Sequence, residues 1–264
     1  MEQTLVGRTA LITGSTSGIG LGIAKLLASA GARVMLNGFG KPEDIAAARR
    51  EVAKAGNSAE PPHSAADLSD PTQVRAMCAE AERALGQVDI LVNNAGIQFT
   101  SPVEQFPDDK WDAIIAINLS ANFHSIKALL PGMKTRGWGR IVNIASIHGL
   151  VASPEKVAYI AAKHGVVGMT KTVALEIAQT GVTCNSICPG FVRTPLAEKQ
   201  VTALAEKNGV TEEVALKDFL LAKQPSKRWV EVEEVARMAL YLCGPDSGSL
   251  NGAALSIDGG WAAA

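Results

Sequence analysis

The sequence predicts one α/β domain with a doubly wound parallel sheet of about seven strands and a helical lid. Short apolar runs alternate with stretches of helical spacing over most of the 264 residues, and this alternation requires βαβ crossovers and a sheet covered on both faces. A glycine-rich stretch directly follows the first apolar run. One polar, charged segment, residues 190–228, interrupts the alternation. We therefore expect a single domain, 1–264, with the lid as an insertion.

The predicted strands cover residues 8–13, 33–37, 58–66, 89–93, 140–144, 182–188 and 254–257. The third strand is weak, because Pro61 and Pro62 lack the N–H groups that a strand ladder uses. The predicted helices cover residues 20–30, 42–55, 71–85, 111–133, 158–180 and 232–243. Proline is tolerated in the first turn of a helix, which suits Pro71.

Within the lid, residues 197–208 and 212–222 have helical spacing. Long insertions at the carboxyl ends of strands border ligand sites, so we interpret this segment as a substrate lid. An ordinary pair of surface helices is the alternative.

The composition disfavours several classes of function. A net charge of -1 offers no basic surface for nucleic acid or an anionic membrane. No run of about 18 apolar residues is present, which predicts no transmembrane helix. Residues 1–4 lack the basic start of a signal peptide, so we expect a cytoplasmic protein. The cysteines lack the spacing of a zinc site, and we expect buried thiols and no metal at Cys78, Cys184, Cys188 and Cys243.

The glycine-rich stretch between the first strand and the first helix predicts a dinucleotide site. Glycines allow the tight turn and the close approach of a ligand, and the backbone N–H groups at the helix start point at a pyrophosphate. The alternative is that the glycines serve only the turn. The candidate cofactor contacts in this stretch are Gly14, Thr16, Ser17, Gly18, Ile19 and Gly20.

Further candidates follow the next strands, at Phe39, Asp67, Leu68, Asn94, Ala95 and Gly96. Asp67 could accept from an adenine amino group or simply cap the following helix, and Phe39 could stack on adenine. Residues 37–40 contain neither the acid that binds a ribose 2′-OH nor the base that meets a 2′-phosphate. The absence of a base favours NAD, although residue chemistry leaves NADP open.

Tyr159 and Lys163 are spaced as i and i+4, which places both on one face of a helix. A phenol ordinarily titrates near about 10, and a nearby ammonium group favours the phenolate. We therefore expect a lowered pKa for Tyr159 and a usable acid or base near neutral pH. Ser146, thirteen residues upstream of Tyr159, can hydrogen-bond a reacting oxygen. These residues predict an enzyme.

Six motifs share one order along the chain: Thr13-Gly14-x-x-x-Gly18-x-Gly20, Asn93-Asn94-Ala95-Gly96, Asn118, Ser146, Tyr159-x-x-x-Lys163 and Pro189-Gly190. Their order and spacing resemble the short-chain dehydrogenase/reductase family from residue 7 to residue 261, which implies a Rossmann fold. The resemblance implies that Tyr159 is the acid/base, that Lys163 holds the nicotinamide ribose and lowers the tyrosine pKa, and that Asn118 bends its helix to hold a water. It also implies cofactor contacts from Pro189, Gly190, Val192 and Thr194, with Thr194 at the carboxamide, and a homotetramer.

Five residues outside these motifs suit a small carboxylate, because they offer a cation, an imidazole and amide donors: Gln98, His148, Lys156, Gln200 and Trp261. Together with the run from Ile144 to Tyr159, they resemble a group within the family, the bacterial D-3-hydroxybutyrate dehydrogenases. That resemblance implies NAD-dependent oxidation of (R)-3-hydroxybutyrate to acetoacetate. Phe191 stands where relatives carry tryptophan, so the packing of the substrate methyl group and the preferred chain length stay open.

Two other functions stay open as alternatives. The first is reduction of another small 3-oxo acid, a sugar acid or a 3-oxoacyl thioester; thioester reductases usually have a basic 2′-phosphate site. The second is a nucleotide-sensing regulator that binds NAD without turnover, which would be typical of a chain that had lost Tyr159 or Lys163.

Overall fold

Seven parallel strands form one sheet, in the order β3-β2-β1-β4-β5-β6-β7. The computed structural model describes residues 3–264. The expectation of a cytoplasmic protein used residues 1–4, of which Met1 and Glu2 lie outside the described residues. The strand order reverses between β1 and β4, which is the switch point of a doubly wound sheet. The predicted fold class is confirmed. The strands are β1 Thr9–Ile12, β2 Arg33–Asn37, β3 His63–Ser64, β4 Ile90–Asn93, β5 Gly139–Ile144, β6 Val182–Pro189 and β7 Ala254–Ile257.

The prediction for β3 was wrong in extent, because only two of the nine expected residues form a strand. Pro62 still contributes its carbonyl, which accepts from Leu36 N at 2.9 Å, but proline cannot donate to a ladder.

The α-helices are α1 Gly18–Ser29, α2 Pro42–Gly56, α3 Pro71–Leu85, α4 Asp108–Ile115, α5 Ala121–Arg136, α6 Val157–Ile177, α7 Pro195–Asn208, α8 Glu212–Val214 and α9 Val232–Cys243.

A single continuous helix, Asp108–Arg136, contains α4, a π-helical turn at Ala116–Ser120, and α5. Polar residues such as Asn118 and Lys127 interrupt this helix, so it is not a run of 18 apolar residues. One 18-residue window of it nevertheless has a mean hydropathy of 1.3, so by length and composition alone the helix could cross a membrane. This is weak evidence for a membrane protein, because the core helices of globular proteins pass the same test. Here Leu129 and Met133 of the helix are buried against the sheet and α3.

The core has two layers, one on each face of the sheet. Side chains alternate between faces along a strand, so Ala10 and Ile12 of β1 pack against α1 and α9, whereas Leu11 packs against α3, α5 and α6. Both faces of the sheet are thus covered, and the functional groups are left to the strand ends. All four cysteines are buried free thiols, as expected.

A chain of buried hydrogen bonds crosses the second layer. Asn93 Nδ2 donates to Asn143 Oδ1 at 2.9 Å, between paired residues of β4 and β5. Asn143 Nδ2 then donates to Thr170 Oγ1 of α6 at 2.9 Å. Ser125 Oγ of α5 donates to Asn93 Oδ1 at 2.7 Å. The chain joins two strands and two helices at fixed relative positions.

The lid, residues 190–228, has a small core of its own. Val201 and Ala205 of α7 pack against Ala215 and Trp229. The segment predicted as helical over 212–222 is helical over residues 212–220, with α8 leading into a π-helical turn at Ala215–Leu220. Lys227 Nζ caps this turn by donating to three carbonyls, Lys217 O, Leu221 O and Ala222 O.

We expect Asn143→Ala to lower the free energy of unfolding by about 2 kcal/mol, because it leaves the buried Nδ2 group of Asn93 without its acceptor and removes the donor to Thr170 Oγ1. Urea denaturation at matched protein concentration measures this. Asn208→Ala is the control, since Asn208 is an exposed residue at the end of α7 whose side chain donates to Leu204 O of the same helix. Equal stability of the two variants would contradict the role of the buried chain.

Candidate active site

The glycine-rich loop lies at the switch point, where it is bonded to the loop that follows β4. Asn94 Nδ2 donates to Thr13 O and Gly14 O, both at 2.9 Å. Thr13 Oγ1 accepts from the backbone N–H groups of Asn94 and Ala95. Gly14 has a φ of 60°, and a Cβ there would lie 2.8 Å from Ala95 Cα. Asn94 therefore joins two loops through its side chain, and Ala95 and Gly96 follow it at the same edge.

The amino end of α1 is suited to an anion. Within residues 3–264, the N-cap residue Ser17 makes no side-chain capping bond to the first turn, so the backbone N–H groups there can meet a phosphate. Gly18 has a φ of 54°, and a Cβ there would lie 3.5 Å from Thr194 Cγ2. Ile19 packs on the first core layer, and a Cβ on Gly20 would collide with Gly14 O. These features fit a dinucleotide pyrophosphate.

The edge beyond β2 carries the residues expected near adenine. Thr16 Oγ1 donates to Phe39 O at 3.2 Å, and the Phe39 ring is 64% exposed. Asn37 is committed to structure, since its side chain accepts from Gly14 N at 3.2 Å and donates to Ser64 O. Arg33 points away, to carbonyls at the end of α3.

Asp67 does not cap α3, so that alternative is wrong. Its Oδ1 accepts from the backbone N–H and hydroxyl of Ser69 at 2.9 and 2.8 Å. The N-cap is Asp70, which accepts from Thr72 N at 2.7 Å. Leu68 is buried.

The acid/base candidates meet at the ends of β5 and α6. Lys163 Nζ donates to Ile144 O at 2.8 Å and lies 5.5 Å from the Tyr159 ring centroid. Ser146 begins the turn after β5, and its Oγ accepts from His148 N at 3.1 Å. Gly149 lets this turn sit close to α6, because a Cβ there would lie 2.9 Å from Lys163 O.

Asn118 lies in the π-helical turn of the long helix. The family resemblance implies a bend at this position. Its Oδ1 accepts from Ile97 N at 2.8 Å, and its Nδ2 donates to Ile97 O at 2.9 Å. The extra residue of a π turn reorients the helix locally. Asn118 therefore holds the loop after Gly96 against the helix.

The residues expected at the substrate divide into two groups. His148 contacts Tyr159 and Trp261 edge to face, with ring centroids 6.1 and 5.2 Å apart. Phe191 stacks on Trp261 at 5.7 Å, and Lys156 Nζ lies 5.7 Å from the Phe191 ring. These residues form one pocket beside the acid/base, which we call the aromatic pocket.

Gln98 and Gln200 are exposed. Within residues 3–264, no hydrogen bond joins either amide to the aromatic pocket, so the role of these two residues at the substrate stays a prediction. Pro189 and Gly190 end β6 next to the pocket, with Gly190 N donating to Ile257 O at 3.0 Å. Val192 is buried and forms a bridge with Val230.

The family model for short chain dehydrogenases matches residues 8–205. This chain belongs to the short-chain dehydrogenase family. The "D-beta-hydroxybutyrate dehydrogenase" of Rhizobium meliloti is 54% identical over 256 residues, 97% of this chain and 99% of that protein. The protein of the same description from Cupriavidus necator is 52% identical over 259 residues, 98% of this chain and 99% of that protein. A solved actinorhodin polyketide ketoreductase with NADPH has a TM-score of 0.89 and 37% identity over 99% of both chains.

As a short-chain dehydrogenase, the protein is an oxidoreductase with a Rossmann fold that binds a nicotinamide cofactor. The electrostatics of the acid/base differ from expectation. Burial raises the pKa of Tyr159, and the hydrogen bond from Ser146 only partly opposes this rise. Burial also lowers the pKa of Lys163 to about 8, while nearby Cys188 opposes that shift. The expected lowering of the Tyr159 pKa is wrong for the protein's own residues, because loss of solvent outweighs the hydrogen bond with Ser146.

Two residues near the site of this short-chain dehydrogenase were not predicted from the sequence. Ser153 Oγ lies 3.1 Å from His148 Nε2, and Lys223 Nζ donates to Ser153 Oγ at 3.4 Å. Ser153 lies within the run from Ile144 to Tyr159, but no role was predicted for it, and Lys223 lies in the lid. Only the folded chain brings the lid to the loop before α6.

The buried imidazole predicts a pH-dependent stability. Burial, then the charges of Lys156, Lys223 and His164, lower the pKa of His148 from 6.5 to about 4. As pH falls through this window the unfolded chain takes up the proton first, so the contribution present above pH 6.5 is lost towards pH 4. A shift of this size corresponds to at most about 3 kcal/mol. We express the unfolding free energy of each protein relative to its own value at about pH 7.5. Between pH 6.5 and pH 4 we expect this free energy to fall more steeply for the wild type than for His148→Gln. Parallel urea-denaturation curves across the window would contradict this.

Proposed function

We propose that the protein catalyses the reversible, NAD-dependent oxidation of (R)-3-hydroxybutyrate to acetoacetate. The observation that carries this proposal is the half-buried cation of Lys156 in the aromatic pocket, beside the Tyr159 acid/base. In this proposal, a small 3-hydroxy acid presents its carboxylate to Lys156 and its hydroxyl group to Tyr159. The two similar proteins described as D-beta-hydroxybutyrate dehydrogenase support the same substrate.

In this proposal, Tyr159 accepts the proton of the substrate hydroxyl group as the adjacent C–H bond breaks. The Ser146 hydroxyl group donates to the same oxygen and holds it as a carbonyl forms. Lys163 stabilises the phenolate, which matters because burial disfavours that charge. A bound nicotinamide supplies the hydride acceptor.

We assign Asn118 to the path that carries the proton away from Tyr159 after oxidation and returns it in the reverse reaction. Both polar ends of its side chain bond the backbone of Ile97. Its main-chain carbonyl, in the π-helical turn, is therefore the group that we assign to hold a water. The side chain keeps the helix and the loop after β4 at a fixed distance.

The cofactor proposal is NAD. Within residues 37–40 the end of β2 offers no cation for a 2′-phosphate, and Arg33 is turned towards α3. Lys41, the N-cap residue of α2, is the first cation beyond this edge and was not predicted as a cofactor contact. Because a solved relative holds NADPH, an assay of this protein should include both cofactors.

We also infer a homotetramer in the cytoplasm, with α5 and α6 in an interface. Phe123 of α5 is 48% exposed and Leu175 of α6 is 80% exposed. An apolar groove of about 530 Å³ lies between these helices. Exposed apolar surface of this kind marks association sites, and light scattering on the purified protein measures the assembly.

The direct test follows the absorbance of reduced nicotinamide with (R)- or (S)-3-hydroxybutyrate and NAD or NADP. We expect rapid reduction only with the (R)-acid and NAD. Tyr159→Phe is the control, and it should bind NADH while losing about 10²-fold or more in turnover. Turnover of 3-oxoacyl thioesters or sugar acids in place of acetoacetate would contradict the proposed substrate.

Replacing Lys156 tests the carboxylate contact. We expect Lys156→Met to raise KM for acetoacetate about 10-fold to 100-fold, because a charge-assisted hydrogen bond is lost, and to leave the Kd for NADH unchanged. Lys207→Met, at an exposed position in the last turn of α7, removes the same charge far from the pocket. Equal KM values for the two variants would remove Lys156 from the site.

A further inference from the structure

A second cation reaches the aromatic pocket, and it comes from the lid. Lys223 Nζ donates to Ser153 Oγ at 3.4 Å, and Ser153 Oγ lies 3.1 Å from His148 Nε2. The His148 ring in turn contacts Tyr159 and Trp261. A polar connection therefore runs from the lid surface to the ring next to the acid/base.

The turn that carries Lys223 is fixed on both sides. Gln224 is fully buried; it accepts from Phe191 N at 3.2 Å and donates to Arg228 O. Lys227 holds the preceding π-helical turn through three carbonyls. Gly190 and Gly259 pack closely on the Gln224 side chain. Lys223 is thus presented from a turn that is anchored on both sides.

Lys223 and Lys156 form an uncompensated pair of cations. Burial, then the charge of Lys223, lower the pKa of Lys156, which indicates that both ammonium groups act on the same region. Among residues 3–264, neither lysine takes part in an ion pair with a carboxylate. A partly buried cation without a counter-ion is unfavourable, and a second cation beside it adds repulsion. Such a pocket favours an anionic occupant.

We propose that Lys223, acting with Ser153, is a specificity-determining residue that completes the carboxylate site from the lid. This inference rests on the proposed function and adds a second contact to it. A carboxylate has two oxygens and about four acceptor positions, so one oxygen can meet Lys156 while the other meets the Ser153 hydroxyl group and Lys223. The pair of cations then selects a charged 3-oxo acid over its neutral ester.

The experiment compares kcat/KM for acetoacetate with kcat/KM for methyl acetoacetate, which lacks the charge, using NADH. We expect Lys223→Met to lower the ratio of the two values about fivefold to tenfold, mainly through KM for acetoacetate. Lys223→Arg should restore most of the ratio. The matched control is Lys217→Met, which removes the same charge from the same lid, where Lys217 pairs with exposed Glu213 at 2.8 Å.

A ratio in Lys223→Met equal to that in Lys217→Met would overturn the inference and leave the proposed function standing, because both enzymes would still reduce acetoacetate. If the wild type does not reduce acetoacetate, the proposed function fails, and calorimetric titration with acetate in the presence of NAD decides the inference. Weaker acetate binding in Lys223→Met than in Lys217→Met would support a carboxylate site at Lys223, and equal binding would overturn it.

Discussion

The buried hydrogen-bond chain through Asn93 and Asn143 is the constraint on which the active site depends. An unpaired amide inside an apolar sheet layer costs free energy. The hydrogen bonds of Asn93 and Asn143 therefore favour one relative position of β4, β5, α5 and α6. Each of these elements carries a different part of the chemistry. The loop after β4 meets the glycine-rich stretch, the turn after β5 carries Ser146, and α6 carries Tyr159 and Lys163. Because the site has no single continuous segment, its geometry is only as exact as the packing of these four elements.

The electrostatics of the site follow from its burial. Loss of solvent raises the pKa of Tyr159 and lowers the pKa of Lys163 and His148, so the protein's own residues favour uncharged groups around the reacting carbon. The cations lie farther out, at Lys156 and in the lid. A substrate carboxylate would therefore be bound at one end of the pocket while proton transfer proceeds at the other, with the stacked rings of Phe191 and Trp261 beside it.

Much of this arrangement could be predicted from the sequence, because local signals agreed with the fold. The β2 strand, the β7 strand and helix α3 begin and end where alternation and proline positions placed them. Features set by tertiary contacts were harder to predict. Asp70 rather than Asp67 caps α3, since the choice depends on where the chain turns. The direction of the Tyr159 pKa depends on burial, and the contact of Lys223 with Ser153 joins residues 70 positions apart. Gln98 and Gln200 resemble substrate ligands in sequence, yet both side chains are exposed.

The most direct test of the proposed chemistry is a crystal structure of the protein with NAD and acetoacetate, a pair that cannot react with each other. We expect the acetoacetate carboxylate in the aromatic pocket at Lys156 and its keto oxygen within hydrogen-bond distance of Ser146 and Tyr159. A carboxylate directed to solvent, with the keto oxygen away from Tyr159, would contradict the proposed binding mode and the roles assigned to these residues.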